Sequence, residues 1–224
     1  MLTLVIGNKL YSSWSMRPWL VLKAFEIESQ EVVIPLRQPE SKVRMSVYAS
    51  NGKVPMLKDD TMVIWESLAI IEYLAECYPD KNIWPRYREA RAHARSISSE
   101  MHSGFQALRQ GCPMNLGARY AAPEMTEALK ANVDRIEAIW AEARQKFKTD
   151  GPFLYGTFTA ADAMYAPVVT RLDTYSIPVK DETRAYMNAV LGHPAVVSWR
   201  DAALKEPWTI PDYDAGHTLI ESYR

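Results

Sequence analysis

Apolar residues in the first third of the chain fall into short runs that alternate with stretches of helical spacing. Leu2 to Ile6 is a β-prone run closed by Gly7-Asn8, and further on Trp19, Leu20, Leu22 and Ala24 recur at helical intervals. Between them lies Tyr11-Ser12-Ser13-Trp14-Ser15-Met16-Arg17-Pro18, a strand-to-helix turn. Proline fits the first helical turn but loses a backbone bond deeper inside, so regular helix is predicted from near Ser15. Glu31 to Leu36 reads as a second strand, and the charged stretch from Pro39 to Tyr48 as a short or irregular helix. Val54 to Leu57 and Met62 to Trp65, joined by the turn Lys58 to Thr61, read as a hairpin. Ser67 to Tyr78 follows as a helix, with Leu68, Ile70, Ile71 and Leu74 as its apolar residues. The order βαβαββα implies a small mixed sheet with helices packed on it.

The pattern changes at Tyr78-Pro79, where a proline-bracketed stretch ending at Pro85 interrupts it. Beyond it no strand is predicted. Helical windows run from about Tyr87 to Arg109 and from Pro123 to Phe147, with Gly111 to Asn115 as a loop between them. Asp181 to Leu191 and Pro194 to Leu204 are further helices, broken by Gly192-His193, and the tail from Pro207 is expected to be irregular. The expected organisation is an α/β domain over residues 1–78, a linker over 79–86 and an all-helical bundle over 87–224. Phe158-Thr159-Ala160-Ala161-Asp162 reads as a capping box, structural and not catalytic, since Thr159 can cap a helix whose Asp162 reaches back to the cap amide.

Composition supports folded domains and narrows the partners. The 224 residues are 48% hydrophobic with a formal net charge of −1, which excludes a strongly basic nucleic-acid binder. Arg86, Arg88, Arg91 and Arg95 alternate with acids and read as a solvated face. Cys77 and Cys112 are too few for a disulfide framework. With neither a leader-like start nor an apolar span, the expected location is cytoplasmic and away from membranes. His93, His102, His193 and His217 show no paired ligand spacing, so no metal site is expected.

Candidate chemistry concentrates at two helix starts. Ser12 and Ser13 precede the first helix, where unpaired amides and the helix dipole favour an anion, so a hydroxyl there could hold a thiolate. Serine is equally a preferred N-cap, and capping alone accounts for these positions as well. Glu66-Ser67 opens the third helix, where Ser67 can offer its hydroxyl and amide to a carboxylate while Glu66 stabilises the dipole. Arg17 either supports the turn electrostatically or solvates the helix surface. Val54-Pro55 taken alone is an ordinary proline opening a strand.

Taken together, Ser12 to Arg17, Gly52-Lys53-Val54-Pro55-Met56-Leu57, Trp65 to Leu74 and Phe158 to Asp162 resemble a cytosolic glutathione S-transferase of the serine type, in a zeta-like or theta-like branch. That resemblance implies a thioredoxin-like N-terminal domain, a helical C-terminal domain and usually a homodimer. It implies a glutathione site at Lys53, Val54, Pro55, Glu66 and Ser67, with a cis Val54–Pro55 bond. It further implies that Ser12, with Ser13 as the neighbouring candidate and Tyr11 and Ser15 not excluded, activates the glutathione thiol toward a small hydrophobic electrophile. The co-substrate wall is expected from the helical domain, where Met101, Phe105, Leu108 and Tyr165 are either wall or core. Isomerisation of the maleylacetoacetate type and a non-catalytic binding module are the alternatives. Trp14 and Met16 depart from the zeta pattern, which has cysteine and tryptophan there, and Trp14 reads as pocket wall or core.

Overall fold

The computed structural model describes residues 1–48, 52–147, 150–213 and 216–224. The N-terminal half forms β1 (Leu2–Ile6), α1 (Ser13–Ala24), β2 (Gln30–Val33), α2 (Ser41–Ser46), β3 (Met56–Asp59), β4 (Met62–Trp65) and α3 (Ser67–Cys77). The strands make one sheet in the order β2-β1-β3-β4, with β1 parallel to β2 and antiparallel to β3, and β3 antiparallel to β4. Met56 pairs with Trp65 and Asp59 with Met62, the register that the predicted hairpin requires. The second strand ends at Val33, short of Leu36, because the backbone of Leu36 turns to donate to Asn8 Oδ1 at 2.7 Å.

After a short 3-10 turn at Pro79–Lys81, the chain continues as α4 (Arg88–Ser103), α5 (Gln106–Gly111), β5 (Ala118–Tyr120), α6 (Glu127–Lys146), α7 (Ala160–Thr174), α8 (Asp181–Leu191), α9 (Pro194–Ala203) and β6 (Leu219–Ser222). Three sequence expectations are corrected here. The window Tyr87–Arg109 is two helices, because Gly104 ends α4 in extended backbone and Phe105 follows with φ 61°. A Cβ at Gly104 would lie 2.8 Å from the Glu100 carbonyl, so the break uses what only glycine allows. The helix expected from Pro123 starts at Glu127, since the Thr126 hydroxyl accepts from the Leu129 amide at 3.2 Å. The tail expected to be irregular contains β6, which pairs antiparallel with β5 across about a hundred residues of chain, so the stretch expected to be all-helical carries a two-stranded ribbon as well. Strand pairing at that separation leaves no local signal.

One apolar cluster runs through both halves, including Leu4, Met16 and Leu20 from the first and Met101, Val169 and Trp199 from the second. Helix α1 packs on α7 and α9 as well as on α3. The tail fixes the turn before α1. The Glu206 carboxylate accepts from the Lys9 amide at 2.8 Å and the Leu10 amide at 3.1 Å, and Trp199 Nε1 donates to the Lys9 carbonyl at 2.9 Å. The serines of the turn are thereby held from the far end of the chain.

Candidate functional site

Helix α1 begins at Ser13, two residues earlier than predicted, because the Ser12 hydroxyl caps it by accepting from the Ser15 amide at 3.4 Å. Pro18 thus sits deeper in the helix than the sequence reading placed it. Ser12 Oγ and Ser15 Oγ are 2.8 Å apart, and Ser15 Oγ accepts from the Gly7 amide at 3.1 Å. Gly7, Ser15 and Ser12 thus form a chain of polar groups that ends on the Ser12 hydroxyl. Ser13 has a different backing: Arg171 of α7 donates from Nη2 to Ser13 Oγ at 3.2 Å and from Nη1 to the Cys112 carbonyl. Burial pushes the Cys112 thiol up to about 12, so it stays neutral.

Ser12, Ser13, Trp14, Lys53 and Val54 line one cleft of about 740 Å³ with Arg109 and Arg171 of the helical half. That volume falls within the ordinary range of ligand pockets. Pro55 lies buried behind it, and the Val54–Pro55 bond is cis. Glu66 and Ser67 do not line the cleft and join it through Arg17. Arg17 is buried, so it does not solvate the helix surface. Its Nη1 points at Ser67 Oγ at 3.5 Å, its Nη2 at Met101 Sδ at 3.1 Å, and its guanidinium lies 4.1 Å from the Trp14 ring centre. Glu66 has φ 69°, a left-handed conformation costing about 1–3 kcal/mol in a non-glycine residue, and its side chain is half exposed while Ser67 is fully buried at the start of α3. Strain of this kind concentrates where a ligand is gripped.

The structure adds a residue that spacing could not reveal. His102 of α4 places Nε2 3.6 Å from Glu66 Oε2 and stands edge-on to Trp14 at 5.0 Å. Burial, helped by the nearby Arg17 charge, holds its pKa below the ordinary histidine value. Arg109 is the second addition. It donates from Nε to the Gly104 carbonyl at 2.8 Å and from Nη2 to the Met101 carbonyl at 2.5 Å, tying off the end of α4, and its guanidinium is 5.0 Å from Trp14. Trp14 is therefore cleft wall rather than core. Met101, Phe105, Leu108 and Tyr165, the alternative wall residues, are buried core.

Burial lowers the pKa of Arg17, of Arg109 and of Arg171, the last to about 10, with like charges adding to the effect at Arg17 and Arg171. Arg171 therefore remains cationic at neutral pH. Among the described residues, no helix is long and apolar enough to cross a membrane.

A mixed four-stranded sheet with flanking helices, joined to a helical half across a serine-lined helix start, defines a protein of thioredoxin-like plus helical build. The chain belongs to the glutathione S-transferase family: the model of its N-terminal domain matches residues 11–77 and that of its C-terminal domain residues 119–202. A probable maleylacetoacetate isomerase of Caenorhabditis elegans is 43% identical over 96 residues, which is 43% of this chain and 44% of that protein, less than half its length. A maleylacetoacetate isomerase of Rattus norvegicus is 26% identical over 187 residues, covering 80% of this chain and 82% of the rat protein. A Burkholderia glutathione transferase homologue, solved with bound glutathione, superposes with a TM-score of 0.66 at 23% identity over 90% of this chain and 97% of that one.

Proposed function

We propose that this protein binds glutathione in the cleft between its halves and activates the thiol as a thiolate for attack on a small electrophile. One observation carries the reading: a capped helix start, two hydroxyls with donors behind them and the guanidinium groups of Arg109 and Arg171 meet in a single cleft. Residues 1–78 are read as the glutathione-binding unit, 79–86 as the linker and 87–224 as the co-substrate unit. Ser12 donates to the sulfur, backed by Ser15, with Ser13 and Arg171 beside it. Lys53, Val54 and Pro55 take the cysteinyl and glycyl side. Ser67, with Arg17 behind it, takes the γ-glutamyl carboxylate, and Glu66 takes its ammonium group. The Burkholderia relative's bound glutathione supports the ligand. Isomerisation of the maleylacetoacetate type is the second reading, favoured by the names of the nematode and rat relatives. Both chemistries begin with the same thiolate. A homodimer is the assembly expected from the family, to be read by sedimentation.

Glutathione should raise the thermal unfolding temperature, since a ligand that binds only the folded state stabilises it by about 2.7 kcal/mol at a hundredfold excess over its dissociation constant. No shift at millimolar glutathione, with no retention on glutathione resin, would overturn the site. Electrophiles and maleyl compounds assayed with and without glutathione then separate conjugation from isomerisation.

Ser67→Ala removes the hydroxyl nearest Arg17 and should weaken glutathione binding by about tenfold, the effect of losing one charged hydrogen bond. Glu66→Gln should weaken it less, because the carboxylate is half exposed and solvent screens it. Calorimetric titration of both variants measures this, and unchanged affinity in both contradicts their assignment.

A further inference from the structure

The loop between β1 and α1 leads into the activating serines, and one carboxylate from far along the chain grips it. The Asn8 carbonyl accepts from the Ser12 amide at 2.8 Å and the Tyr11 amide at 3.3 Å, which closes the loop onto the start of α1. The amides inside that loop, of Lys9 and Leu10, donate to the two oxygens of Glu206, at 2.8 Å and 3.1 Å. Glu206 lies just beyond α9, 196 positions from Leu10. The Lys9 carbonyl takes Trp199 Nε1 at 2.9 Å, and the Leu10 carbonyl takes the Leu116 amide at 3.2 Å. Lys9 Nζ pairs with Glu31 and stands 5.8 and 5.6 Å from the ring centres of Trp19 and Trp199.

The peptide bond is planar, so the Asn8 carbonyl and the Lys9 amide are two ends of one rigid unit. One end holds the Ser12 amide, and the other is held by Glu206. Glu206 therefore reaches Ser12 through a single peptide plane, and its bond to the amide polarises the carbonyl on the far side, making it a better acceptor. The second oxygen, on the Leu10 amide, fixes the adjoining plane. A carboxylate is a costly acceptor in this place. Glu206 is 9% exposed, and burial raises its pKa against the pull of the two amides and of the Lys9 and Arg224 charges. Its charge also has the sign that a nearby thiolate disfavours. What offsets these costs is direction and strength, since charge-assisted bonds are about twice as strong as neutral ones.

We propose that Glu206 is a positioning residue of the reaction: by clamping the Asn8–Lys9 peptide plane it sets where the Ser12 hydroxyl stands against the sulfur of bound glutathione. This rests on the reading that Ser12 activates the thiol. Glu206 does not line the cleft and acts through the loop.

Glu206→Gln is close to isosteric but keeps a single acceptor oxygen and turns an NH2 donor toward an amide that needs an acceptor. The thiolate absorbance of protein-bound glutathione should then titrate about one unit higher than in the native protein, and kcat at neutral pH should fall by up to about tenfold, with the glutathione KM within about twofold. The sign separates positioning from charge, since removing a nearby negative charge by itself would lower the midpoint. Thr159→Ala, which weakens a different helix start, controls for loss of stability and should leave the midpoint unmoved. An unmoved or lowered midpoint in Glu206→Gln overturns the proposal, and so does a rise that Thr159→Ala reproduces. If Glu206→Gln is too unstable to titrate, Glu206→Asp, which keeps both oxygens and draws them back by one methylene, is titrated in its place and read the same way. A midpoint that Ser12→Ala leaves unmoved removes the Ser12 reading, and this proposal falls with it. A midpoint that Ser12→Ala raises and Glu206→Gln does not overturns the proposal alone.

Discussion

Asp162→Ala should destabilise the protein by about 4 kcal/mol, among the largest effects available to one substitution, because it strands several buried donors at once. The Asp162 carboxylate accepts from the Leu154 amide at 3.1 Å, the Thr159 amide at 2.8 Å, the Thr159 hydroxyl at 3.1 Å and the Tyr186 hydroxyl at 3.0 Å. It therefore does more than close the capping box of α7, for it also fixes the loop before the helix and joins α7 to α8. Thr159→Ala, which removes only one hydroxyl of the cap, should cost about 1 kcal/mol. Denaturant unfolding measures both, and equal costs would show that the wider network contributes nothing.

The same carboxyl predicts a pH effect. Burial pushes its pKa up to about 6, outweighing the four hydrogen bonds that favour its charged form. The folded protein therefore holds this proton more tightly than the unfolded chain does. Asp162 contributes stability fully below its unfolded value and loses that contribution as pH rises through about 6. Asp162→Asn should remove this fall, and the difference in unfolding free energy between the two proteins, followed from about pH 4 to 7, should show the missing slope.

Much of this architecture is written locally. The hairpin Met56–Trp65, helix α3 and the Thr159–Asp162 box follow from alternation, helical spacing and capping chemistry, and the structure builds them within a residue or two of the predicted bounds. What spacing cannot show is which distant residues meet. The hold of Glu206 on Lys9 and Leu10, of Arg171 on Ser13, and of His102 on Glu66 each joins residues between 36 and 197 positions apart. His102 of α4 has no sequence pattern that marks it as a neighbour of the third helix start. The polar face Gln106-Arg109-Gln110 reads as ordinary helix surface until α5 is seen to close over the cleft. Ser12 and Ser13 were legible as a pair, but their different backing was not, because it comes from Ser15 on one side and from α7 on the other.

Ser12→Ala should lower glutathione-dependent turnover at neutral pH by about a hundredfold or more, the usual consequence of deleting a donor aimed at a developing anion. The hydroxyl stands where the helix dipole and the Ser15 amide, which donates to it, already favour negative charge, so its removal leaves the sulfur with the field but no proton to share. The γ-glutamyl and backbone grips lie elsewhere, and affinity for glutathione should change far less than rate. Losing the cap of α1 also costs about 1 kcal/mol of stability, which a denaturation curve separates from the catalytic effect. Ser13→Ala should give a smaller fall, since it removes the group through which Arg171 is felt and leaves the charge of Arg171 in place.

The central claim is that the start of α1 acidifies a bound thiol, and the most direct measurement is the thiolate absorbance of protein-bound glutathione followed against pH. In the native protein the titration midpoint should lie well below the free-thiol value of about 8.5, and Ser12→Ala should move it back up, each unit corresponding to about 1.4 kcal/mol of lost preference for the anion. A native midpoint at the free value, or a depressed midpoint that Ser12→Ala leaves unmoved while Ser13→Ala raises it, would contradict the assignment of the activating hydroxyl to Ser12.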